Sequence, residues 1–330
     1  MTSRRVVLLT LLVVAVAGVV ALLIWDPHPT TDRSFDRGRN GLWLGHRWYT
    51  GRDVRTDEPV SASDVLALGQ SFARHGIRYA YVHVGPARAD GGLDDRVGEI
   101  LAPLRARATD VVFLAWVGAR VEKVDLDDPG FRTGMMESLR RLTDEGFAGV
   151  HFDFEPLRDG DTGYLGLLQQ VRRELGPDFF ISQATPRAGP FGWSDGPLRR
   201  SFWSEDYYRA TMSTSDQTVV MAYDSQLTFT KAYVEFVRHQ TNLLSNWACQ
   251  TTGHEILIGV PSHEDVPSYS NPQIENLRTA ALGVRAALEA HSAPPACFSG
   301  VSIYSYWVTD EAEWRDYRRY WMAPGEAAAN

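Results

Sequence analysis

His151, Asp153 and Glu155 occupy alternate positions in one short apolar run, AGVHFDFE, residues 148–155. Side chains alternate across a strand, so these three share one face, while Val150, Phe152 and Phe154 share the other. Asp153 and Glu155 are then about 6.6 Å apart at Cα. Carboxyls that close can raise one another's pKa. A carboxylic acid kept protonated near neutral pH can protonate a glycosidic oxygen. A lone D-x-E is common, and an acidic strand end often only caps a loop or forms salt bridges. Three ionisable groups on one inward face are different: they are costly unless paired or solvated, so they point to a cleft.

The rest of the chain must supply that cleft. Eight apolar, β-rich runs occur, at 41–49, 79–85, 110–118, 148–155, 179–186, 217–225, 254–262 and 299–307. Helical patterns with one apolar face lie between them: Phe131 to Glu145, Tyr164 to Leu175, Ala232 to Trp247, Ile274 to Ala290 and Glu311 to Tyr320. Ser63 can cap a further helix running toward His75, and Gly76, Gly146 and Gly176 stand where helices should stop. The fifth unit carries an insertion, residues 187–206, rich in Gly, Pro and aromatics. Eight βα units without a linker predict one α/β domain, a single (β/α)8 TIM barrel over 41–322, with 323–330 a tail. An open doubly wound sheet is the rival, but no Gly-rich phosphate loop follows the first strand. In a barrel the active site lies at the C-terminal strand ends, where Asp153 and Glu155 fall.

These residues resemble glycoside hydrolase family 18, the chitinases and endo-β-N-acetylglucosaminidases. The family's strand-4 motif, D-G-x-D-x-D-x-E, aligns with Ala148 to Glu155. Gly149, Asp153 and Glu155 match; Ala148 and His151 replace the first two Asp. The strand-6 motif M-x-Y-D is matched in full by Met221, Ala222, Tyr223 and Asp224, and the strand-7 G-x-P by Gly259, Val260 and Pro261. The strand-3 S-x-G-G retains only its last Gly, Gly118. The aromatic floor of the reactive sugar falls on Tyr304, with Trp307 close by. The departures mark a distant branch.

The resemblance implies retaining, substrate-assisted cleavage of a β-linked N-acetylglucosamine polymer, without a cofactor. Glu155 is the implied acid. Asp153 orients the 2-acetamido group and Tyr223 hydrogen-bonds its oxygen. Asp224 and Met221 line the sugar site, Tyr304 or Trp307 offers an apolar face, and His263 stands where the family often places a sugar-binding Tyr. His151 is expected either to donate a hydrogen bond to Asp153 or, protonated, to keep it ionised. The residues themselves add weaker candidates: His83 and Trp116 as cleft linings, Gln183 as a sugar contact, and Trp193 and Trp203 as a platform. Each has an equally plain use as packing. No zinc-type cluster or nucleophile elbow occurs, so no metal is expected. The alternative class is a barrel that binds sugar at the cell surface with little or no turnover.

The N-terminus bears on location. Arg4 and Arg5 precede Val6 to Ile24, a run without a charge. As a helix it spans about 28 Å, close to a bilayer's hydrocarbon core. Residues 1–25 are therefore expected to be a transmembrane signal anchor, 26–40 a tether, and the barrel extracytoplasmic. Cleavage after Ala15-Val16-Ala17, giving a secreted protein, is the alternative. Cys249 and Cys297, the only cysteines, can pair in that compartment. A net charge of −8, from 33 basic and 41 acidic residues, argues against nucleic acid as a partner. A polysaccharide, the membrane through the N-terminal helix, and no second subunit are the expected partners.

Overall fold

The computed structural model describes residues 7, 10–18, 28–96, 100–189, 202–262, 271–291 and 294–322. Eight parallel strands close into a barrel: β1 (Asn40–Leu44), β2 (Ile77–Pro86), β3 (Val112–Arg120), β4 (Gly149–Glu155), β5 (Phe180–Thr185), β6 (Gln217–Met221), β7 (Glu255–Pro261) and β8 (Phe298–Tyr304). Each strand pairs with its sequence neighbours, and β8 pairs with β1. Helices follow the strands: α1 (Ala62–Arg74), α2 (Leu101–Arg107), α3 (Pro129–Asp144), α4 (Thr162–Leu175), α5 (Glu205–Met212), α6 (Thr230–Ala248), α7 (Leu277–Leu288) and α8 (Glu311–Tyr317). This is the expected (β/α)8 arrangement.

Local chemistry sets the helix ends. Ser61, not Ser63, caps α1, because Asp64 completes a capping box: the Ser61 side chain accepts from the Asp64 amide while Asp64 accepts from the Ser61 amide. Asp128 and Asp161 cap α3 and α4 in the same sense. Gly76, Gly146 and Gly176 follow helix ends at positive φ, as their positions suggested. Two strands stop earlier than their apolar runs. The first ends at Leu44, after which Arg47–Thr50 form one helical turn closed by Gly51. The sixth ends at Met221, ahead of the left-handed Asp224. Helix α2 is too short for a clear apolar period; it buries only Leu101 and Leu104.

Apolar residues divide by strand parity. Val150, Phe152 and Phe154 join the large core between strands and helices. Trp43, Tyr79, Tyr81, Leu114, Trp116, Ala184, Val219 and Leu257 fill the barrel itself. Residues 28–39, in the predicted tether, lie against the barrel. Phe35 is buried beside the Arg285 guanidinium, and Arg37 donates to the carbonyls of Pro294 and Phe298. This contact is at the N-terminal strand ends, opposite the candidate site. Most of the predicted anchor, together with Trp193 and His263, lies outside the described residues. Residues 10–18 are helical, but among the described residues no helix is long and apolar enough to cross a membrane.

Cys249 and Cys297 form a disulfide, with Cα atoms 5.1 Å apart. It ties the end of α6 to the segment entering β8, across a sequence separation of 48. Replacing both cysteines by Ser is expected to destabilise the chain by up to about 4 kcal/mol, from the loop entropy returned to the unfolded state. Urea unfolding of the two proteins side by side measures this; identical midpoints would remove the bridge from the list of stabilising features.

Candidate active site

Six residues singled out from the sequence meet at the C-terminal mouth of the barrel. Asp153, Glu155, Met221, Tyr223, Asp224 and Tyr304 line one cavity of about 330 Å³, with Trp43 and Arg187. That volume is at the lower end of the range small-molecule sites occupy. The Tyr223 and Tyr304 rings stack at 5.5 Å. Gly259 makes this possible: a Cβ there would stand 3.3 Å from the Tyr223 ring and 2.8 Å from the Val220 carbonyl oxygen. Arg187 donates to the carbonyls of Tyr223 (3.0 Å) and Asp224 (2.8 Å), which fixes the left-handed turn after β6. A larger cavity, about 780 Å³, opens beside β1 and β2, lined by His46, His83, Asp94 and three arginines. Its Arg52 and Arg96 are already paired with Asp57 and Asp94. The smaller cavity holds the reactive groups.

Electrostatics separate the two carboxyls. Glu155 stands at the rim, where its side chain reaches solvent. Protein nevertheless crowds it on most sides, and this thinning of water is the main cause that pushes its pKa up, to about 8. The charges of Asp153 and Asp224 add to the rise, and Arg120 and Arg187 oppose it. Asp153 is deeper. Burial pushes it up to about 6, against a hydrogen bond from Trp116 Nε1 to Oδ2 at 2.9 Å. Its Oδ1 is buried and has no hydrogen-bond partner among the described residues. At neutral pH the pair therefore holds a protonated Glu155 beside an ionised Asp153 with an acceptor to spare.

His151 lies one layer below and does not serve Asp153 in the way expected. It is fully buried. Trp43 Nε1 donates to its Nε2 at 3.1 Å, so its proton is on Nδ1, which faces Ser182 Oγ at 2.7 Å. Ser182 and Tyr81 both donate to Gln217 Oε1 at 2.8 Å. Tyr81 stacks on the His151 ring at 3.9 Å. Burial drives the His151 pKa well down, so the ring is neutral. Its nitrogens are committed to β1 and β5, which leaves Asp153 to Trp116.

No protein-family model matches the chain, and no curated protein sequence matches it either. Solved structures do. A fungal endo-β-N-acetylglucosaminidase of glycosyl hydrolase family 18 superposes with a TM-score of 0.59 at 13% identity, covering 88% of this chain and 100% of that one. The spore cortex-lytic enzyme SleL of Bacillus cereus gives 0.58 at 14%, covering 88% and 75%. A family-18 chitinase of Chromobacterium violaceum gives 0.55 at 15%, covering 89% and 87%. The fold is that of the family-18 barrels.

Within that fold the remaining sequence candidates sort by position. Trp116 stands beside the site, bonded to Asp153. Trp307 is at the mouth, 47% exposed, with its ring parallel to that of Trp116 at 6.3 Å. Gln183 is a correction. It faces the helices, accepting from Tyr164 and donating to Ser215 and Thr218. On β5 the inward positions are Ser182 and Ala184. Trp203 is a second correction: it is buried, its indole N–H donates to the Leu157 carbonyl, and it packs on Tyr207 and Tyr208. Trp43 and Arg187 were not foreseen. Alternation between Leu42 and Leu44 would have turned Trp43 inward, and Arg187 follows a barrel strand's C-terminal end.

The raised Glu155 pKa has a consequence for stability. The unfolded chain ionises Glu155 near its ordinary value of 4.5, whereas the folded chain holds the proton up to about 8. Across that window the native state binds more protons, so stability falls as pH rises. Glu155→Gln removes the effect. The variant is expected to melt with wild type at pH 4 and a few degrees above it at pH 8. Thermal melts at both pH values test this, and a constant difference would mean that Glu155 titrates normally.

Proposed function

We propose that this chain is a retaining glycoside hydrolase that cleaves β-linked N-acetylglucosamine-containing polysaccharide by substrate assistance, as the family-18 resemblance implies. The observation that carries the reading is the pair itself: a carboxyl kept protonated at neutral pH beside a carboxylate with an unpartnered buried oxygen. Glu155 gives its proton to the glycosidic oxygen as the bond to the anomeric carbon breaks. The substrate's 2-acetamido oxygen forms a bond to that carbon, giving a cyclic oxazolinium. Asp153 Oδ1 accepts from the acetamido N–H, and the Asp153 charge faces the positive ring. The Tyr223 hydroxyl donates to the acetamido oxygen. A water then attacks the anomeric carbon, Glu155 takes the water's proton, and the acetamido group is restored. Two displacements retain the configuration, with one carboxylate and the substrate's own amide in place of two catalytic carboxylates.

Supporting the polymer class, one structural neighbour is named a spore cortex-lytic enzyme, and two others are a chitinase and an endo-β-N-acetylglucosaminidase. The full chain should release products from chito-oligosaccharides or purified peptidoglycan. Glu155→Gln should lower turnover at least about a hundredfold, the usual scale for loss of a general acid. The kcat/KM profile should fall below about pH 6, as Asp153 takes a proton, and above about pH 8, as Glu155 loses one. Binding of the same sugars without products would assign the barrel to sugar recognition instead.

We also place the barrel outside the cytoplasm, held by residues 1–25. The disulfide suits an oxidising compartment. The N-terminal segment reaches the barrel on the face opposite the cleft, which would turn the cleft away from the bilayer. Fractionation of cells expressing the full chain or a chain lacking residues 1–25 tests this. Membrane recovery of both would rule out the anchor.

A further inference from the structure

Asp153 needs a holder, because His151 is engaged elsewhere. Its side-chain hydrogen bond comes from the Trp116 indole. That indole is itself confined: Trp307 lies parallel to it at 6.3 Å, and His83 meets it edge-on at 4.6 Å. His83 Nδ1 is 3.3 Å from His46 Nδ1, and His46 Nε2 is 2.9 Å from Asp94 Oδ2. Arg96 grips the Asp94 carboxylate at 2.7 Å, while Tyr49 and Arg141 donate to the Asp94 carbonyl. Contacts thus run from a loop after β2, through the turn after β1, to β2, β3 and β4.

The Asp94 end of these contacts fixes one proton. Arg96 holds the Asp94 carboxyl far below the usual range, so Asp94 is ionised and only accepts. His46 must then carry a proton on Nε2. One proton lies between His46 Nδ1 and His83 Nδ1, with one ring donating and the other accepting. Burial and the neighbouring His46 push the His83 pKa down to about 4, so that ring is neutral through the working range. His83 Nε2 and Trp116 Nε1 converge over Gly118: a Cβ there would stand 4.0 Å from each. Gly118 pairs in register with Asp153. Among the described residues no group of His, Cys, Asp and Glu is arranged to hold a metal ion.

We propose that Asp94, His46 and His83 are a positioning relay, which holds the Trp116 indole and through it the Asp153 carboxylate. Its purpose rests on the role proposed above for Asp153. The relay residues are not catalytic; none touches the reacting atoms. The other ionisable groups facing Asp153 are Glu155, Tyr223 and Tyr164, and the relay variants alter none of them.

The test uses the full chain and the variants His46→Ala, His83→Ala, His83→Phe and Trp116→Phe, plus the His83→Ala/Trp116→Phe double. The first readout is the carboxyl titration of Asp153 by 13C NMR, its signal assigned by loss in Asp153→Asn. Trp116→Phe removes the donor that favours the ionised form, so the midpoint should rise by about half a pH unit or more. His83→Ala and His46→Ala should raise it in the same direction. His83→Phe keeps a ring against Trp116 but cannot bond His46, and should behave like His83→Ala. The double variant should be no worse than Trp116→Phe alone, because all effects pass through the indole. In activity, kcat should drop about tenfold with KM little changed, and the acidic limb should move with the midpoint. An unmoved Asp153 midpoint in folded His83→Ala, wild-type behaviour of His83→Phe, or additive effects in the double would each overturn the relay. A wild type that releases no product defeats the glycosidase reading alone, since the NMR titration still decides the relay.

Discussion

Two carboxyls that share one strand face dominate the mouth of this barrel. Asp153 and Glu155 are two residues apart on β4 and both point into the same cavity. Burial and mutual repulsion make it unfavourable for both to be ionised at once. The surroundings decide which gives way. The Trp116 N–H favours charge on Asp153, while Asp224 pushes Glu155 further up and Arg120 and Arg187 restrain it. Two groups of the same chemical type thereby take different protonation states, a proton donor beside a fixed charge.

That arrangement stands on a barrel interior whose polar groups bond mostly to one another, with Gln217 Nε2 and Ser302 Oγ buried without a partner among the described residues. Trp43, His151, Ser182, Gln217 and Tyr81 form one hydrogen-bonded layer from β1 across to β6 and back to β2. Lower down, Tyr79 and Arg39 both bond Glu255. Buried polar groups specify a structure when each has its partner and destabilise it when one is lost. The layer also fixes β4 between β3 and β5, because His151 is in register with both Trp116 and Ser182. Asp153 and Glu155 therefore extend from a strand whose register is set on both sides.

Much of this was legible in the sequence because apolar and polar residues alternate sharply on β4. Val150, Phe152 and Phe154 gave the outer face away, and His151, Asp153 and Glu155 followed. On β5 the same alternation correctly grouped Gln183 with Thr185, which bonds Tyr208. It could not say which face was inward, since Ser182 and Gln183 are both polar. The partners of His151 and Asp153 were not legible at all. They come from β1, β3 and β5, and which residues stand level across a closed barrel depends on its shear, a property no single strand encodes. The Ser61 cap was legible from Asp64 three residues on; Ser63 offers no such partner.

A His at position 151, where the family-18 pattern carries an Asp, bears on what holds Asp153. A carboxyl at 151 would share a proton with Asp153 and raise its pKa by repulsion whenever both ionised. Neutral His151 brings no such charge, and its two nitrogens are spent within the layer beneath. The hydrogen bond to Asp153 comes instead from the neighbouring strand. An indole N–H can only donate, so it favours an acceptor that is ionised and does nothing for the protonated acid's O–H. A carboxyl partner could pass a proton back and forth during a cycle; Trp116 cannot. Above about pH 6 Asp153 is thus held ionised and in one orientation. The orientation of Asp153 therefore depends on the indole staying in place.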